Sequence, residues 1–297
     1  MTNAENQSSS NRVFVEGYRS QVREAGLYIV ATPIGNLGDI SIRALDTLAH
    51  VDIVLCEDTR VTGKLLKHYE IEATLEAYHD HSDEKKRASI VERVEKGMRF
   101  ALVSDAGMPL ISDPGYKLVV DLRERGLMVT SIAGANAPLA ALQLSGMPSD
   151  AFSFLGFLPS KQGARCKALR AWESAPGSLI AFESAARLKD ALADIGEVLS
   201  GRRVAVVREI SKKFEEVCVA FPGALIADYS ENGLPKGEIV LVIEPPVQKE
   251  LSDDEIQGLL KKALAEHGTK EAAAQVALET GLSKKMLYEM ALKVSKL

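Results

Sequence analysis

The sequence predicts an α/β protein: two α/β domains followed by a small helical C-terminal domain. Three observations carry this reading. Short β-branched runs alternate with stretches of helical period, the pattern of βαβ units. The segment from Ala133 to Pro159 is punctuated by Gly134, Pro138, Gly146, Pro148, Gly156 and Pro159, which marks a join between two such blocks. After Pro245-Pro246 the strand signal stops and the chain becomes rich in Ala, Lys and Glu. The expected division is a disordered N-terminal arm over 1–25, an N-terminal α/β domain over 26–136, a C-terminal α/β domain over 137–247 and a helical tail over 250–297.

In the first half the strands are expected at Leu27–Ala31, Asp52–Cys56, Phe100–Val103 and Met128–Ile132. Helical patterns lie between them. One starts at Asp39, a suitable N-cap, with Ile42, Leu45 and Leu48 on one face. Another covers Glu84–Glu95, and a third runs from Pro114-Gly115 to Arg125, where Gly126 stops it. This half reads as a doubly wound domain. In the second half the strands are expected at Phe152–Gly156, Ser178–Phe182, Arg203–Val207 and Glu238–Ile243. From Thr269 to Lys293 the tail reads as helix, turn, helix, with Ser283 capping the second helix. That pair is either a nucleic-acid-binding helix-turn-helix or a packing module; Lys284-Lys285 is its only basic pair.

Bulk properties exclude several classes. The chain of 297 residues is 46% hydrophobic and 26% charged, ordinary for a globular protein. No apolar run approaches the ~18 residues of a membrane helix. The Ser-rich start lacks the apolar core of a signal peptide, so a cytoplasmic location is expected. Cys56, Cys166 and Cys218 are far apart and odd in number, which fits free thiols in a reducing compartment. No Cys/His spacing suggests zinc, and no metal is expected. His79 and His81 flank Asp80 and would share one face of a strand, but no third ligand is evident. With a net charge of −5, any nucleic-acid surface must be local.

Two glycine-rich turns follow apolar runs. Thr32-Pro33-Ile34-Gly35-Asn36-Leu37-Gly38-Asp39 is either a ligand-binding turn or a plain strand-to-helix turn. Its glycine spacing is not that of a dinucleotide fingerprint, although Glu57 lies where a ribose-binding acid would be expected. The turn from Ser104 to Gly115 concentrates Asp105, Gly107, Pro109, Asp113, Pro114 and Gly115, a rigid loop able to hold a ligand by its main chain. Both turns end strands, and ligands of open α/β sheets bind at such ends. Cys56-Glu57-Asp58-Thr59-Arg60 places charge at the same edge, for chemistry or for helix capping. Lys161, Arg165, Lys167 and Arg170 form one basic cluster, and Arg202, Arg203, Arg208, Lys212 and Lys213 a second. Each is either a solvated face or a phosphate-binding surface.

Taken together, Tyr28–Ile40, Glu57–Arg60, Ser104–Gly115, Gly156-Phe157-Leu158-Pro159, Arg208-Glu209, Phe214-Glu215-Glu216 and Gly237-Glu238-Ile239-Val240 resemble the bacterial small-subunit ribosomal RNA 2′-O-methyltransferases of the tetrapyrrole methylase superfamily. The resemblance covers about residues 26 to 245, and the tail resembles the helical C-terminal domain that many members carry. It implies a cleft between two α/β domains that holds S-adenosylmethionine, a homodimer, and methylation of a cytidine ribose 2′-hydroxyl in the decoding region of 16S rRNA.

On this resemblance the cofactor-binding residues are Pro33, Ile34, Gly35, Asp105, Ala106, Gly107, Leu110, Ile111, Ser112 and Asp113 from the two turns. Gly134 and Ala137 join them from the domain join, and Phe182 and Glu183 from the second domain. Glu57 and Asp58 are the candidate general bases, since neither has an evident turn-forming duty, whereas Asp105 orders the cofactor loop. Arg60 is a candidate phosphate ligand. Lys161, Arg165, Lys167, Arg208 and Lys212 are the candidate RNA-binding residues. RNA or the small ribosomal subunit is the expected partner. The chain departs from the family pattern at Ala133-Gly134-Ala135-Asn136-Ala137-Pro138, where alanines replace two prolines, and at Glu183-Ser184-Ala185-Ala186-Arg187. A looser join is expected there. The alternatives are a small-molecule methylase of the same fold and an RNA-binding protein that has lost catalysis.

Overall fold

Apolar runs in the first half of the chain pair into a parallel sheet. Its strands are β1 (Gly26–Val30), β2 (Ile53–Cys56), β3 (Leu75–Ala77), β4 (Arg99–Val103) and β5 (Met128–Ile132), in the order β3-β2-β4-β1-β5. The computed structural model describes residue 20 and residues 22–79, 84–113, 115–246, 252–280 and 282–294. The strands are apolar on both faces because both faces are covered. On one side α1 (Ile42–His50) and α2 (Thr59–His68) bring Ala44, Leu48 and Leu66 onto Val30, Val54 and Ala101. On the other, α3 (Glu84–Glu95) and α4 (Tyr116–Glu124) bring Ile90, Val94, Leu118 and Leu122 onto Leu27, Leu55 and Phe100. From β1 the chain moves towards β2, and from β4 it moves to β5 on the far side of β1. The winding therefore reverses between β1 and β4, the place where open α/β sheets bind ligands.

The second sheet is mixed. It contains β6 (Phe152–Phe157), β7 (Ser178–Ser184), β8 (Val204–Arg208), β9 (Glu216–Ala220) and β10 (Glu238–Ile243), in the order β6-β7-β10-β8-β9. The β6–β7 pair is parallel and the other pairs are antiparallel. One face is covered by α5 (Ala137–Ser145), whose Ala141 and Leu142 pack on Ile180, Val207 and Val242. The other carries α6 (Gln162–Ala171), α7 (Leu188–Val198) and α8 (Pro222–Glu231) around Leu169, Leu192, Ile195 and Leu225.

Both sheets belong to one compact unit, Met1–Pro246; Val247–Leu297 forms a second. In that second unit α9 (Asp253–Glu266), α10 (Thr269–Thr280) and α11 (Lys284–Val294) enclose Leu260, Ala273, Val276, Leu287 and Ala291. Ser252 and Glu255 close a reciprocal capping box at its start.

Several local expectations are corrected. Asp39 does not cap the first helix. It ends a 3-10 turn, Leu37–Asp39, capped by Asn36, and Ser41 caps α1 by accepting from the Ala44 amide at 3.1 Å. Neither β3 nor β9 was expected. β3 has three residues at a sheet edge, and β9 is a half-exposed edge strand whose apolar alternation is weak. The expected arm over 1–25 lies largely outside the described residues, but Val22 is buried against the cluster around Tyr28. Asp80, His81 and Pro114 also lie outside the described residues.

Candidate active site

The two glycine turns leave β1 and β4 at the switch point and bind each other. The Thr32 amide donates to the Gly107 carbonyl at 2.9 Å, and the Gly107 amide donates back to the Thr32 carbonyl at 3.1 Å. Gly107 sits at φ 78°, a left-handed backbone that glycine adopts without strain. Behind this bridge opens a cavity of about 440 Å³. Ile34 and the stretches Asp105–Met108 and Ile111–Asp113 form one wall, and Asn136, Ala137 and Pro138 form the floor. The second sheet supplies Phe157, Phe182, Glu183, Ser184, Ile210 and the start of β10 from Gly237 to Val240.

Both walls are held in unusual backbone. Leu110 (φ 70°) and Ser112 (φ 68°) lie on one side, Glu209 (φ 50°) and Ser211 (φ 63°) on the other. Non-glycine residues in this region cost roughly 1 kcal/mol or more each and persist only where the surroundings fix them. The fixing groups are visible. Glu209 Oε1 accepts from the Lys212 ammonium at 3.0 Å and from the Glu238 amide at 3.2 Å. The Lys212 hydrogen bond, the largest cause, holds the Glu209 carboxyl below its usual range. Ser211 donates through its hydroxyl to Asp39, which ties this loop to the first glycine turn.

The lining suits a nucleoside-bearing ligand such as S-adenosylmethionine. Ile34, Met108, Phe182, Ile210 and Val240 give flat apolar contact, and bare main chain follows Gly237. Glu183 adds a single unanswered acceptor. Its side chain is 0% exposed; Oε1 takes the Arg187 guanidinium and the Ser184 amide, each at 2.7 Å, while the buried Oε2 has no partner. A buried oxygen without a donor costs about 1–3 kcal/mol, which a ligand hydroxyl or amino group would recover.

The model of the Tetrapyrrole (Corrin/Porphyrin) Methylases family matches residues 26–224, and that of the RsmI C-terminal HTH domain matches residues 250–295. The chain is 51% identical over 269 residues to the "Ribosomal RNA small subunit methyltransferase I" of Erythrobacter litoralis, covering 91% of this chain and 95% of that protein. The same-named protein of Mesorhizobium japonicum is 46% identical over 272 residues, covering 91% of this chain and 92% of its own length. The chain belongs to the ribosomal RNA small subunit methyltransferase I family of tetrapyrrole methylases. The fold agrees. A uroporphyrin-III C-methyltransferase from Thermus thermophilus, solved with S-adenosyl homocysteine, superposes with a TM-score of 0.50 at 15% identity, over 75% of this chain and 99% of that one.

Membership in this methyltransferase family sets what the site residues must do, and the geometry sorts them. Ile34, Asp105, Ala106, Gly107, Ile111, Ser112, Asp113, Ala137, Phe182 and Glu183 line the cavity together. Four expected cofactor ligands do not. Leu110 packs into the core beside Leu102 and Leu118. Pro33 and Gly35 border a neighbouring surface pocket shared with α2. Gly134 packs on β1, where a Cβ would come within 2.9 Å of Ala31 Cβ.

Of the two readings of the Cys56–Arg60 stretch, the structure shows the helix cap at Asp58. Asp58 caps α2, accepting from the Arg60 amide at 2.8 Å, and forks onto the Arg60 guanidinium at 2.6 Å. The Arg60 side chain, then its amide, lower the Asp58 carboxyl to about 2, so at neutral pH it has little affinity for a proton. Asp58 is committed as the α2 cap, and Arg60 is engaged with it. Glu57 makes no hydrogen bond or ion pair among the described residues and does not line the cavity.

The basic candidates divide as well. Arg165 is 3% exposed and locked to the buried Asp194 at 2.6 Å, so it cannot reach RNA. Lys212 lies between Glu209 and Glu238; burial opposes its charge, and the two carboxylates override it, raising its pKa. Arg208 pairs with Glu216 at 2.6 Å. Lys161 stands exposed at the N-cap of α6 and Lys167 stands exposed on it. The cavity is also lined by residues outside the expected ligand set: Met108, Asn136, Pro138, Phe157, Ser184 and Ile210. Asn136 caps α5 through the Leu139 amide at 2.9 Å and donates to Met108 Sδ at 3.2 Å, which anchors the join despite its missing prolines.

Proposed function

We propose that this protein methylates the ribose 2′-hydroxyl of a cytidine in the decoding region of 16S rRNA, using S-adenosylmethionine bound in the cavity between the two sheets. The observation that carries the cofactor part is the apolar cavity at the switch point with the unanswered Glu183 oxygen in its wall. The substrate part is supported by membership in a family whose relatives are named for small-subunit rRNA.

The cofactor supplies a methyl already activated on a sulfonium, so the protein's work is alignment and proton removal. Ile34, Phe182, Ile210 and Val240 hold the apolar part of the ligand, and Glu183 receives a donor from it. Asp105 is the carboxylate placed to take the hydroxyl proton. It lines the cavity, its Oδ1 accepts from the Asp58 amide at 3.2 Å, and its Oδ2 makes no bond among the described residues. Lys161 and Lys167 meet backbone phosphates. Among the described residues no helix is long and apolar enough to cross a membrane. A homodimer acting in the cytoplasm fits this reading.

Purified protein is mixed with labelled S-adenosylmethionine and small subunits from a strain lacking it. Label at one ribose of 16S rRNA is expected, located by ribose-methylation mapping. Label on a corrinoid with none on the subunits would favour the small-molecule methylase. Cofactor binding with no transfer to either would favour a binding protein.

A further inference from the structure

Among the described residues, Phe157 is the one aromatic side chain of the cavity lining that the reaction above leaves without a task. It lines the cavity, yet its side chain is 61% exposed. Holding an apolar ring in water is unfavourable, so local structure must place it there. It does. β6 runs beside β7 with Phe154 opposite Ile180, then slips by one residue so that Phe157 faces Phe182. Gly156 turns the strand at φ 67°. A one-residue bulge with a left-handed glycine re-aims the side chain that follows. A Cβ on Gly156 would lie 3.4 Å from Ser112 Oγ, so the bulge brings β6 up against the opposite wall.

The ring is backed rather than isolated. Phe157 and Phe182 have centroids 5.0 Å apart at 49°, and Phe182 in turn meets Phe154 edge-on at 5.1 Å. Basic residues lie near it in the chain. The Arg187 guanidinium, paired with Glu183 at 2.7 Å, also donates to the carbonyl of the next residue, Leu158, at 3.4 Å with its side chain still 31% exposed, and Lys161 is exposed four residues along from Phe157. An exposed aromatic face is the chemistry on which a single unstacked nucleotide stacks.

We propose that Phe157 is the platform on which the base of the target nucleotide stacks, with Arg187 and Lys161 attracting the adjoining phosphates. This rests on the rRNA reading above. A ribose hydroxyl that enters the cavity brings its base out of the RNA stack, and the base needs a new partner. The enclosed wall of Phe182, Ile210 and Val240 suits the cofactor, whereas Phe157 stands at the open rim where the second substrate arrives.

The test compares wild type, Phe157→Leu and Phe157→Trp, after equal thermal melts show that each is folded. Leucine keeps apolar bulk without a π face; tryptophan keeps the face. Phe157→Leu is expected to raise KM for unmethylated small subunits about tenfold. Its Kd for S-adenosylhomocysteine, measured by calorimetry, is expected to stay within about twofold of wild type. Phe157→Trp is expected to restore KM. An unchanged KM in Phe157→Leu, or a raised Kd for S-adenosylhomocysteine, overturns the inference; the second result would assign the ring to the cofactor. Failure of wild type itself to label the subunits would instead strike the rRNA reading, and with it the basis of this inference.

Discussion

The stem of Lys212 lies over Gly35: a Cβ built on that glycine would come within 2.5 Å of Lys212 Cγ and Cε. Gly35 has φ 148°, and the Lys212 ammonium is held by Glu209 and Glu238. One glycine of the first turn thus seats the loop that carries two strained residues of the opposite wall. Gly35→Ala should push Lys212 away, release Glu209 and loosen that wall. We expect S-adenosylhomocysteine to bind at least about tenfold more weakly, equal to roughly 1.4 kcal/mol. The melting temperature should move little, because the contact lies outside both hydrophobic cores. Calorimetry and a thermal melt on the same sample check this.

Arg165 and Lys167 are two positions apart and should behave in opposite ways. Arg165→Met leaves Asp194 buried with only neutral partners, Gln162 at 3.1 Å and the Cys166 thiol. Stranding a buried charge costs about 3–5 kcal/mol, so the urea midpoint should fall sharply. Lys167→Ala should leave stability unchanged and weaken RNA binding, with a shallower dependence on salt. Urea titration and binding at two salt concentrations separate the roles.

Two acids on one rim make a kinetic comparison. Asp58→Asn keeps an oxygen for the Arg60 amide, so the α2 cap survives. Single-turnover methyl transfer should change by less than about threefold, since Asp58 takes no proton in this scheme. Asp105→Asn should slow the same step by about a hundredfold or more. Equal losses in both variants would contradict the assignment of Asp105.

The pH dependence of stability follows from ion pairs away from the cavity. The Arg99 side chain holds the Asp52 carboxyl below its usual range, and the Arg203 side chain does the same for Glu244. A carboxyl depressed in the folded state contributes stability that is fully present above its unfolded pKa, about 4. That contribution is lost as pH falls through the folded value. The urea midpoint should therefore hold steady from about pH 5 to pH 8 and drop below about pH 4. Charge-neutral Asp52→Asn should flatten the acid limb.

The legible parts of this chain were those with local causes. The unbroken run Ile239–Ile243 announced a buried strand, and the crowding of Asp, Gly and Pro from Asp105 to Gly115 announced the loop that forms one wall of the cavity. β3 was illegible because an edge strand of three residues has no room for a period. Arg165 read as part of a basic cluster because its partner Asp194 lies 29 positions along and meets it only after α6 and α7 pack. Asp58 read as a candidate base because a helix cap and a catalytic acid look alike before a helix is seen to start at Thr59. Phe157 read only as part of the Gly156–Pro159 motif just past a strand expected to end at Gly156, since a bulge is a property of two paired strands and leaves no mark in one.

Leu110 and Ser112 in one loop, and Glu209 and Ser211 in another, hold conformations that a free chain rarely visits. Holding them so is work done once, when the protein folds, by burial and hydrogen bonds elsewhere. A ligand then meets walls already shaped for it and loses no affinity to arranging them.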